Sequence, residues 1–360
     1  MRILHIETGM NLYGGALQVL YLLRGLHQQG SGNILVCPEG SEIARAAAPY
    51  AEVRALPMRG ELDLLFGARL VRLVKTAGPD LIHVHSRRGA DLWGALAARL
   101  TRNKALVTRR VDNPEPGWLA RLKYRQFAHV VTISEGIRRV LLKEGVASGH
   151  VSCVHSAVDL DAWQQPCDVD WFRQEFGLPE DARAVGVIAQ LIPRKGHRFL
   201  IEAVPRILTK VPGAHFLFFG KGPLETDLRG LCEKQGMGDR FVFAGFREDL
   251  SRIVPCLDLV VHPALMEGLG VSLLQAAAAG VPIVGAGAGG IPEIVRDSVN
   301  GYLVSPGDAA ALIDPVTRLL TDAELAAGFG EAGRRIVEER FSIEAMVAGN
   351  LEIYRQLANQ

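Results

Sequence analysis

Short apolar runs alternate with helical patterns along this chain, and this alternation limits the possible folds more than any other feature. In the first half, six runs are predicted to be strands, at residues 3–6, 33–37, 81–85, 106–108, 130–133 and 151–154. Helical patterns lie between them, for example at residues 16–29 and 92–100. Strands separated by helices pair in parallel, so the pattern predicts an α/β fold with a doubly wound parallel sheet.

A second series of apolar runs repeats the same architecture. Its predicted strands lie at residues 184–188, 215–219, 241–243, 259–262, 282–284 and 301–304. Residues 159–179 have little periodicity, which indicates an interdomain linker and the entry to a second domain. A chain of 360 residues can form two cores. We therefore predict two Rossmann-like domains, residues 1–165 and 166–341, with ligands in a cleft at the carboxyl ends of their strands.

Composition is that of a soluble globular protein, with 48% hydrophobic and 22% charged residues. No stretch approaches the ~18 apolar residues of a membrane-spanning helix. The chain enters its first strand at Arg2, which leaves no room for a signal peptide. Its cysteines form no Cys-x-x-Cys pair, and we expect free thiols in a reducing, cytoplasmic compartment. They are Cys37, Cys153, Cys167, Cys232 and Cys256.

Charge is unevenly distributed along the chain. Residues 1–165 hold 21 Lys and Arg against 14 Asp and Glu, a balance of +7, whereas the remainder holds 19 against 25, a balance of −6. Ten basic and three acidic residues fall within 87–125. We expect no nucleic-acid partner, because aromatic platforms for base stacking are absent. A solvated basic face, an anionic membrane surface and a phosphorylated acceptor remain open.

The segment 262–284 carries the clearest functional signal. Glu267 is followed by a glycine-rich turn and a predicted helix start, where the backbone N–H groups and the helix dipole favour a bound anion. Gln275 lies eight residues further on, about 12 Å along a helix. This distance separates the sugar of a nucleotide sugar from its ribose. An acidic first turn is otherwise an ordinary helix feature. Glu267 is the predicted catalytic residue here, and the predicted donor contacts are Gly268, Leu269, Gly270, Val271 and Gln275.

Residues 258–306 closely resemble the donor-site region of family 4 retaining glycosyltransferases, which have the GT-B fold. That family carries two glutamates separated by seven residues, an Ala-rich helix, a Gly-x-Pro strand and a Gly-Gly-x-Pro-Glu turn. Here these features are Glu267, residues 276–279, Gly280-Val-Pro282 and Gly289-Gly-Ile-Pro-Glu293, with Gln275 replacing the second glutamate. The resemblance covers nearly the whole chain, more loosely in the first half.

The resemblance implies how the chain works. It implies a nucleotide-sugar donor, no metal or other cofactor, and retention of configuration, with the departing phosphate accepting the acceptor's proton. Glu267 would orient the donor sugar, and Gln275 would hold the ribose. The terminal helix, residues 342–360, would pack back on the first domain. By analogy, and from the basic first domain, we expect an envelope glycan or glycolipid acceptor and possible peripheral association with an anionic membrane.

Two cations are expected beside the diphosphate, whose developing charge they would stabilise. Lys195, in a Lys-Gly turn after a strand, matches the family's lysine. Gln190 stands where the family has an arginine, and Arg194 is the candidate substitute. Alone, an Arg-Lys-Gly triplet more often marks a surface loop.

Further loops resemble the family's nucleotide contacts. Gly220-Lys221 and Phe246-Arg247 follow strand-like runs and match the loops around the nucleobase. Gly14-Gly15 ends the loop after the first strand and matches the glycine-rich loop that faces the diphosphate. The pattern Gly-x-Gly-x-x-Gly at residues 285–290 is attributed to a glycine-rich loop and not to dinucleotide binding, because the helix after it is short.

Candidate catalytic groups also follow the strands of the first domain. His83 and His85 flank Val84, and we expect them to point to opposite faces and to share no metal. His85, at the strand end, is the better candidate for the cleft. Many family members have a histidine where this chain has Arg109-Arg110; Arg110 could bind the acceptor or the diphosphate but would be a poor base.

Two rival functions share this donor site. A GT-B sugar-nucleotide epimerase would need acid and base side chains near the anomeric carbon. A non-catalytic nucleotide-sugar-binding homologue would account for the changes at Gln190, Gln275 and Arg109-Arg110. Products formed without an acceptor would favour the first rival, and donor binding without transfer would favour the second.

Overall fold

The computed structural model describes residues 1–85 and 89–359. The chain divides into two compact units, here called unit 1, Met1–Ala157 with Ile343–Gln360, and unit 2, Val158–Ser342. The residues at 86–88, which include the first two arginines of the basic region 87–125, lie outside the described part. Each unit is a parallel sheet with helices, as the alternating sequence pattern predicted.

The sheet of unit 1 has seven parallel strands in the order β3-β2-β1-β4-β5-β6-β7. Its inner strands are buried along nearly their whole length, which explains their continuous apolar runs. The strands are β1 Arg2–Ile6, β2 Gly32–Pro38, β3 Glu52–Leu56, β4 Leu81–Val84, β5 Lys104–Arg109, β6 His129–Thr132 and β7 Val151–Cys153.

The sheet of unit 2 has six parallel strands in the order β10-β9-β8-β11-β12-β13. Counted within its own unit, this order repeats the first six strands of unit 1 and is the Rossmann order. The strands are β8 Arg183–Ile188, β9 Ala214–Phe219, β10 Phe241–Gly245, β11 Leu259–His262, β12 Ile283–Ala286 and β13 Gly301–Val304.

The helices cover the sheets, and several begin at side-chain caps. Asp63, Ser134, Asp168 and Asp322 each accept backbone N–H bonds at a helix start. The helices are α1 Gly14–Gln28, α2 Glu42–Ala46, α3 Leu64–Ala77, α4 Ala90–Thr101, α5 Gly117–Tyr124, α6 Glu135–Lys143, α7 Leu160–Trp163, α8 Val169–Phe176, α9 His197–Lys210, α10 Glu225–Lys234, α11 Leu250–Ile253, α12 Val271–Ala278, α13 Ile291–Ile294, α14 Ile313–Thr321, α15 Ala323–Arg340 and α16 Ile343–Asn359. Among the described residues, no helix is both long and apolar enough to cross a bilayer.

The terminal helix α16 belongs to the core of unit 1. Its Ile353, Tyr354 and Leu357 pack in one cluster with apolar residues of β1, β4 and β5. Helix α1 approaches α16 so closely that a Cβ on Gly25 would lie 2.4 Å from Val347. A glycine is therefore needed at this crossing.

Two secondary-structure expectations were wrong. Strand β3 was missed, because its five residues are mostly exposed at a sheet edge and form no apolar run. The segment 159–179, expected to be an aperiodic linker, contains α7 and α8. Helix α8 has too few residues for a long periodic pattern, yet it buries Phe172 and Phe176, four residues apart on one face.

The expectation of five free thiols was also wrong. Cys167 and Cys256 form a disulfide within unit 2, with their Cα atoms 4.9 Å apart. The two cysteines are 89 residues apart, so no local spacing could reveal the pair. Cys37 and Cys232 are buried thiols.

Candidate active site

The turn after β8 and the loop after β11 are held together by backbone contacts in unit 2. Residues Pro193–Lys195 form a short 3-10 turn that ends at Gly196, whose φ is +71°. A Cβ on Gly196 would lie 2.0 Å from the carbonyl oxygen of Pro263, so only glycine permits this approach. Leu265 N–H donates to the carbonyl of Arg194 at 2.8 Å. These contacts place the Lys195 turn beside Glu267.

Lys195, His262 and Glu267 form one ionic cluster. Lys195 Nζ donates to Glu267 Oε2 at 2.5 Å, and His262 Nε2 lies 2.7 Å from the same oxygen. Gly268 N–H donates to Glu267 Oε1 at 3.1 Å. A carboxylate offers about four acceptor positions, and these three contacts occupy most of them. About one position remains for a hydroxyl of a ligand.

The charge of Glu267 is stabilised by its partners. Burial opposes ionisation, but the hydrogen bond from His262 and the positive charge of Lys195 outweigh it and lower the pKa of Glu267 to about 2. The carboxylate is therefore ionised throughout the physiological range. It acts as a fixed acceptor and does not serve as a proton donor near neutral pH.

The glycine-rich loop after β12 fixes the backbone of Glu267. Gly290 N–H donates to the Glu267 carbonyl at 3.1 Å, and a Cβ on Gly289 would meet that oxygen at 1.7 Å. Gly289 also has a φ of +56°. The glycines at the end of the segment 285–290 are thus required for packing against the candidate site.

Helix α12 begins directly after this cluster. Gly270 precedes it in a left-handed conformation with a φ of +98°, while Leu269 is buried at 1% exposure. Leu269 can therefore offer a ligand its backbone more readily than its side chain. Val271 and Gln275, on α12 itself, are half-buried.

The predicted nucleobase loops also meet one another. Gly220 N–H donates to the Gly245 carbonyl at 2.7 Å, and a Cβ on Gly220 would lie 2.1 Å from the Ala189 carbonyl oxygen. This packing joins the loops after β8, β9 and β10. It brings the exposed Gln190, Lys221 and Phe246 to the same end of the sheet.

Arg247 is engaged within the protein. Its Nη2 lies 2.6 Å from Asp249, and its Nη1 lies 2.5 Å from Glu175. These hydrogen bonds raise the pKa of the guanidinium. A ligand would have to compete with two carboxylates for this side chain.

In unit 1, the loop after β5 brings Arg110 against the start of α1. A Cβ on Gly15 would lie 3.4 Å from Arg110 Cδ, so the Gly14-Gly15 turn accommodates the arginine stem. Burial lowers the pKa of Arg110 to about 10, while the charge of Glu7 opposes this shift. Arg110 Nε is buried without a hydrogen-bond partner among the described residues. The guanidinium thus remains charged at neutral pH, with one donor unused.

Arg109 has a different role from its neighbour. Its side chain is 1% exposed, donates to the Tyr124 hydroxyl at 2.8 Å and lies 3.4 Å from Glu115. Successive side chains on a strand point to opposite faces, so Arg109 fills the interior while Arg110 faces α1. Asp112, the nearby carboxylate, is also buried.

The expectation that His83 and His85 point to opposite faces was wrong. Their ring centroids are 3.8 Å apart, because residues two positions apart on a strand lie on the same face. His5, on the neighbouring β1, completes a buried histidine cluster, with its Nδ1 2.9 Å from His85 Nε2. His83 bonds the Tyr354 hydroxyl at 2.6 Å and the Thr108 hydroxyl at 2.7 Å.

Burial makes this cluster neutral. It lowers the pKa of His5 to about 3 and those of His83 and His85 well below the ordinary value. Ring nitrogens of all three lie within 4.8 Å of one another, close enough to share a metal ion. A metal would have to displace a hydroxyl from His83 and would lie near the positive charge of Arg110. His5 Nε2 and His85 Nδ1 have no partner among the described residues.

Three polar residues of these two sites were given no role by the sequence analysis. His262 was visible as the histidine ending a strand five residues before Glu267. His5 and Glu7 occupy the corresponding place at and after the end of β1. The sequence signal that could have identified each of them is the same: a polar residue at the end of a buried parallel strand.

Comparisons with known proteins identify the family of this chain. Residues 168–336 match the family model of glycosyl transferases group 1, and residues 13–162 match that of glycosyltransferase family 4. The chain is 30% identical over 326 residues to the 2-deoxystreptamine glucosyltransferase of Streptomyces kanamyceticus, covering 84% of each chain. It is 29% identical to a GDP-mannose-dependent phosphatidylinositol monomannoside mannosyltransferase of Mycolicibacterium smegmatis, covering 74% of each.

Among solved structures, Anabaena Alr3699/HepE in complex with UDP superposes with a TM-score of 0.86 at 21% identity, covering 99% of this chain and 100% of that one. Two Rossmann-like units with these strand orders, shared with this solved structure, are the GT-B fold. The chain belongs to glycosyltransferase family 4.

Proposed function

We propose that this glycosyltransferase moves a sugar, with retention of configuration, from a nucleoside diphosphate sugar to an envelope glycan or glycolipid acceptor. The observation that carries the proposal is the cluster of Lys195, His262 and Glu267 before the N-terminus of α12. It combines a cation for a leaving phosphate with an ionised carboxylate for a sugar hydroxyl. The relatives named for glucosyl and mannosyl transfer, and the UDP bound to HepE, support a nucleotide-sugar donor.

Cationic groups contact the diphosphate of the donor, and the carboxylate of Glu267 contacts its sugar. Lys195, Arg194 and the N–H groups at the start of α12 stabilise the diphosphate as the glycosidic bond breaks. Lys195 has three N–H donors and uses one on Glu267, so it can also reach a phosphate oxygen. Glu267 holds the sugar with its remaining acceptor position, and Gln275 bonds the ribose.

The acceptor hydroxyl attacks the anomeric carbon on the face from which the diphosphate leaves. Its oxygen forms the new glycosidic bond, and its proton passes to the departing phosphate oxygen. No side-chain nucleophile is then required. The charge demand is met by Lys195 and its neighbours, so we propose that the reaction needs no metal ion.

Unit 1 binds the acceptor in this proposal. His85 and Arg110 lie at strand ends of this unit, and Arg110 keeps a positive charge suited to a phosphate or an acidic sugar. The phosphatidylinositol mannosyltransferase relative supports a lipid-linked acceptor. We propose that the enzyme works at the cytoplasmic face of the membrane, held in part by the basic region 87–125.

The decisive experiment screens nucleotide sugars by thermal shift and then measures transfer from those that bind. We expect stabilisation by one or a few donors, transfer to a glycan or glycolipid acceptor with retained anomeric configuration by NMR, and activity that survives EDTA. An altered donor sugar without added acceptor would establish the epimerase instead. Tight donor binding with neither hydrolysis nor transfer across acceptor classes would establish the non-catalytic homologue.

A further inference from the structure

Exposed apolar side chains are concentrated on one part of unit 1. Seventeen large apolar residues are exposed in the described part of the chain, and nine of them lie on or next to α3, α4 and α5. Large exposed apolar patches mark interaction sites, whereas single exposed apolar residues are ordinary. We call these nine the leucine surface: Leu62, Leu64, Leu65, Leu92, Leu96, Leu100, Trp118, Leu119 and Leu122.

The three helices that carry the leucine surface are neighbours. Trp93, on α4, donates its indole N–H to the Glu61 carbonyl just before α3, at 3.0 Å. Lys123, on α5, pairs with Asp91 on α4 at 3.0 Å. Along α4, the exposed leucines recur every four residues and therefore share one helix face.

Helix α5 combines apolar and cationic groups on one face. Trp118, Arg121, Leu122 and Arg125 follow the spacing i, i+3, i+4, i+7 and line one side of a cavity of 660 Å³. Trp118 is 66% exposed. Tryptophan and arginine with these exposures suit the boundary between lipid headgroups and acyl chains.

The charges around the leucine surface favour an anionic partner. Six arginines of these segments are exposed, against the exposed Glu61, and the nearby Asp63 and Asp91 are already bound, Asp63 to the start of α3 and Asp91 to Lys123. A second copy of this chain would present the same positive charge and be repelled. The exposed arginines are Arg59, Arg72, Arg99, Arg102, Arg121 and Arg125.

We propose that the leucine surface inserts at the boundary between the headgroups and the acyl chains of an anionic bilayer, with a lipid phosphate received in the cavity beside α5. This inference rests on the membrane-bound acceptor proposed above, but it assigns the contact to apolar insertion as well as to charge. Leucines and Trp118 bury apolar area among the acyl chains, while Arg121 and Arg125 bind phosphates. Salt therefore weakens the binding without abolishing it.

Sedimentation with vesicles tests the inference. The full chain is mixed with phosphatidylcholine vesicles or with vesicles containing about one quarter phosphatidylglycerol. We expect binding to the anionic vesicles, partly retained at about 0.5 M salt, and a blue shift of tryptophan emission that Trp118→Phe removes. No binding to anionic vesicles, or complete loss at that salt concentration, would overturn apolar insertion.

Matched variants separate insertion from general damage. Leu64→Ser/Leu96→Ser removes two leucines of the surface, and Val169→Ser/Val299→Ser removes two exposed apolar residues of unit 2 as a control. We expect at least about tenfold weaker vesicle binding for the first pair only. Equal binding by both pairs, or concentration-dependent dimers that the first pair abolishes, would reject the bilayer as the partner.

Donor turnover, measured without vesicles on the same proteins, keeps the two proposals apart. We expect the leucine variant to turn over donor at the wild-type rate with a water-soluble acceptor. Vesicle binding by a wild-type protein that shows no transfer would refute the proposed function and leave this inference standing. Transfer by a wild-type protein that does not bind vesicles would support the proposed function and refute this inference.

Discussion

The two units place polar residues at the same topological position but differ in how much charge these residues carry. In both, the groups collect at or just beyond the carboxyl ends of the central strands. Unit 1 has the neutral cluster of His5, His83 and His85 there, with the charged Arg110 just beyond the end of β5, whereas in unit 2 the charged Lys195 and Glu267 pair with each other. Topology thus determines where polar groups meet, and their neighbours determine whether they carry charge.

Removing the positive charge of Lys195 in unit 2 should have the largest effect on the rate of transfer. We expect Lys195→Ala to lower the rate of transfer by about 10²–10³, because a charge contact to the leaving diphosphate is lost. Lys210→Ala is the matched control, since Lys210 is an exposed lysine of the same unit that pairs with Asp314. Steady-state kinetics and circular dichroism compare the two. Wild-type turnover in a folded Lys195 variant would remove the lysine from the mechanism.

The disulfide gives unit 2 a covalent link, and no disulfide joins described residues of unit 1. We expect Cys167→Ser to lower the free energy of unfolding of unit 2 by about 2–4 kcal/mol, because a cross-link restricts the unfolded chain. Urea unfolding followed by hydrogen exchange reports on each unit separately. A reductant should destabilise the wild type but not the variant. If the reductant leaves unit 2 of the wild type unchanged, the link contributes nothing to its stability.

Acid should destabilise unit 1 through its buried histidines. The pKa of His5 is about 3 when folded, against about 6.5 unfolded, so below pH 6.5 the unfolded chain binds a proton that the folded chain does not. Stability is therefore complete above pH 6.5 and is lost as the pH falls toward 3. We expect His5 to account for about 2 kcal/mol of the loss between pH 6.5 and 5.

The variant His5→Asn should reduce this acid sensitivity of unit 1, whereas His27→Asn, at an exposed position on α1, should not. Urea unfolding at each pH, followed by hydrogen exchange, measures the difference. The same slope in His5→Asn and the wild type would show that His5 is protonated in the folded state, or that other groups dominate.

The smallest expected effect concerns Gln275, where this chain departs from its family. We expect Gln275→Glu to keep activity and to change the donor KM by less than tenfold, about 1.4 kcal/mol. A glutamate accepts stronger hydrogen bonds but is repelled by the diphosphate. Gln275→Leu should raise KM more, because the ribose loses a partner. Donor-saturation kinetics on the three proteins decide the matter; a Leu variant equal to wild type would show that Gln275 does not face the nucleotide.

Much of this architecture could be predicted from sequence, because buried parallel strands are continuous apolar runs. Strand β3 lacked that signal, since its residues lie partly exposed at an edge. The contact between Lys195 and Glu267 joins residues 72 positions apart, and no local pattern encodes such a distance. The histidine cluster was accessible in principle, because a strand period of two places His83 and His85 together.

Helix α16 has a consequence for synthesis of the protein on the ribosome. Unit 1 begins with the first strand, yet its core includes Tyr354, which bonds buried His83 across 271 residues of sequence. Unit 2 is continuous and can fold as soon as it emerges. Unit 1 is therefore translated first but completed last. Until α16 emerges from the ribosome, the apolar groove of unit 1 that receives this helix is exposed to chaperones and to incorrect partners.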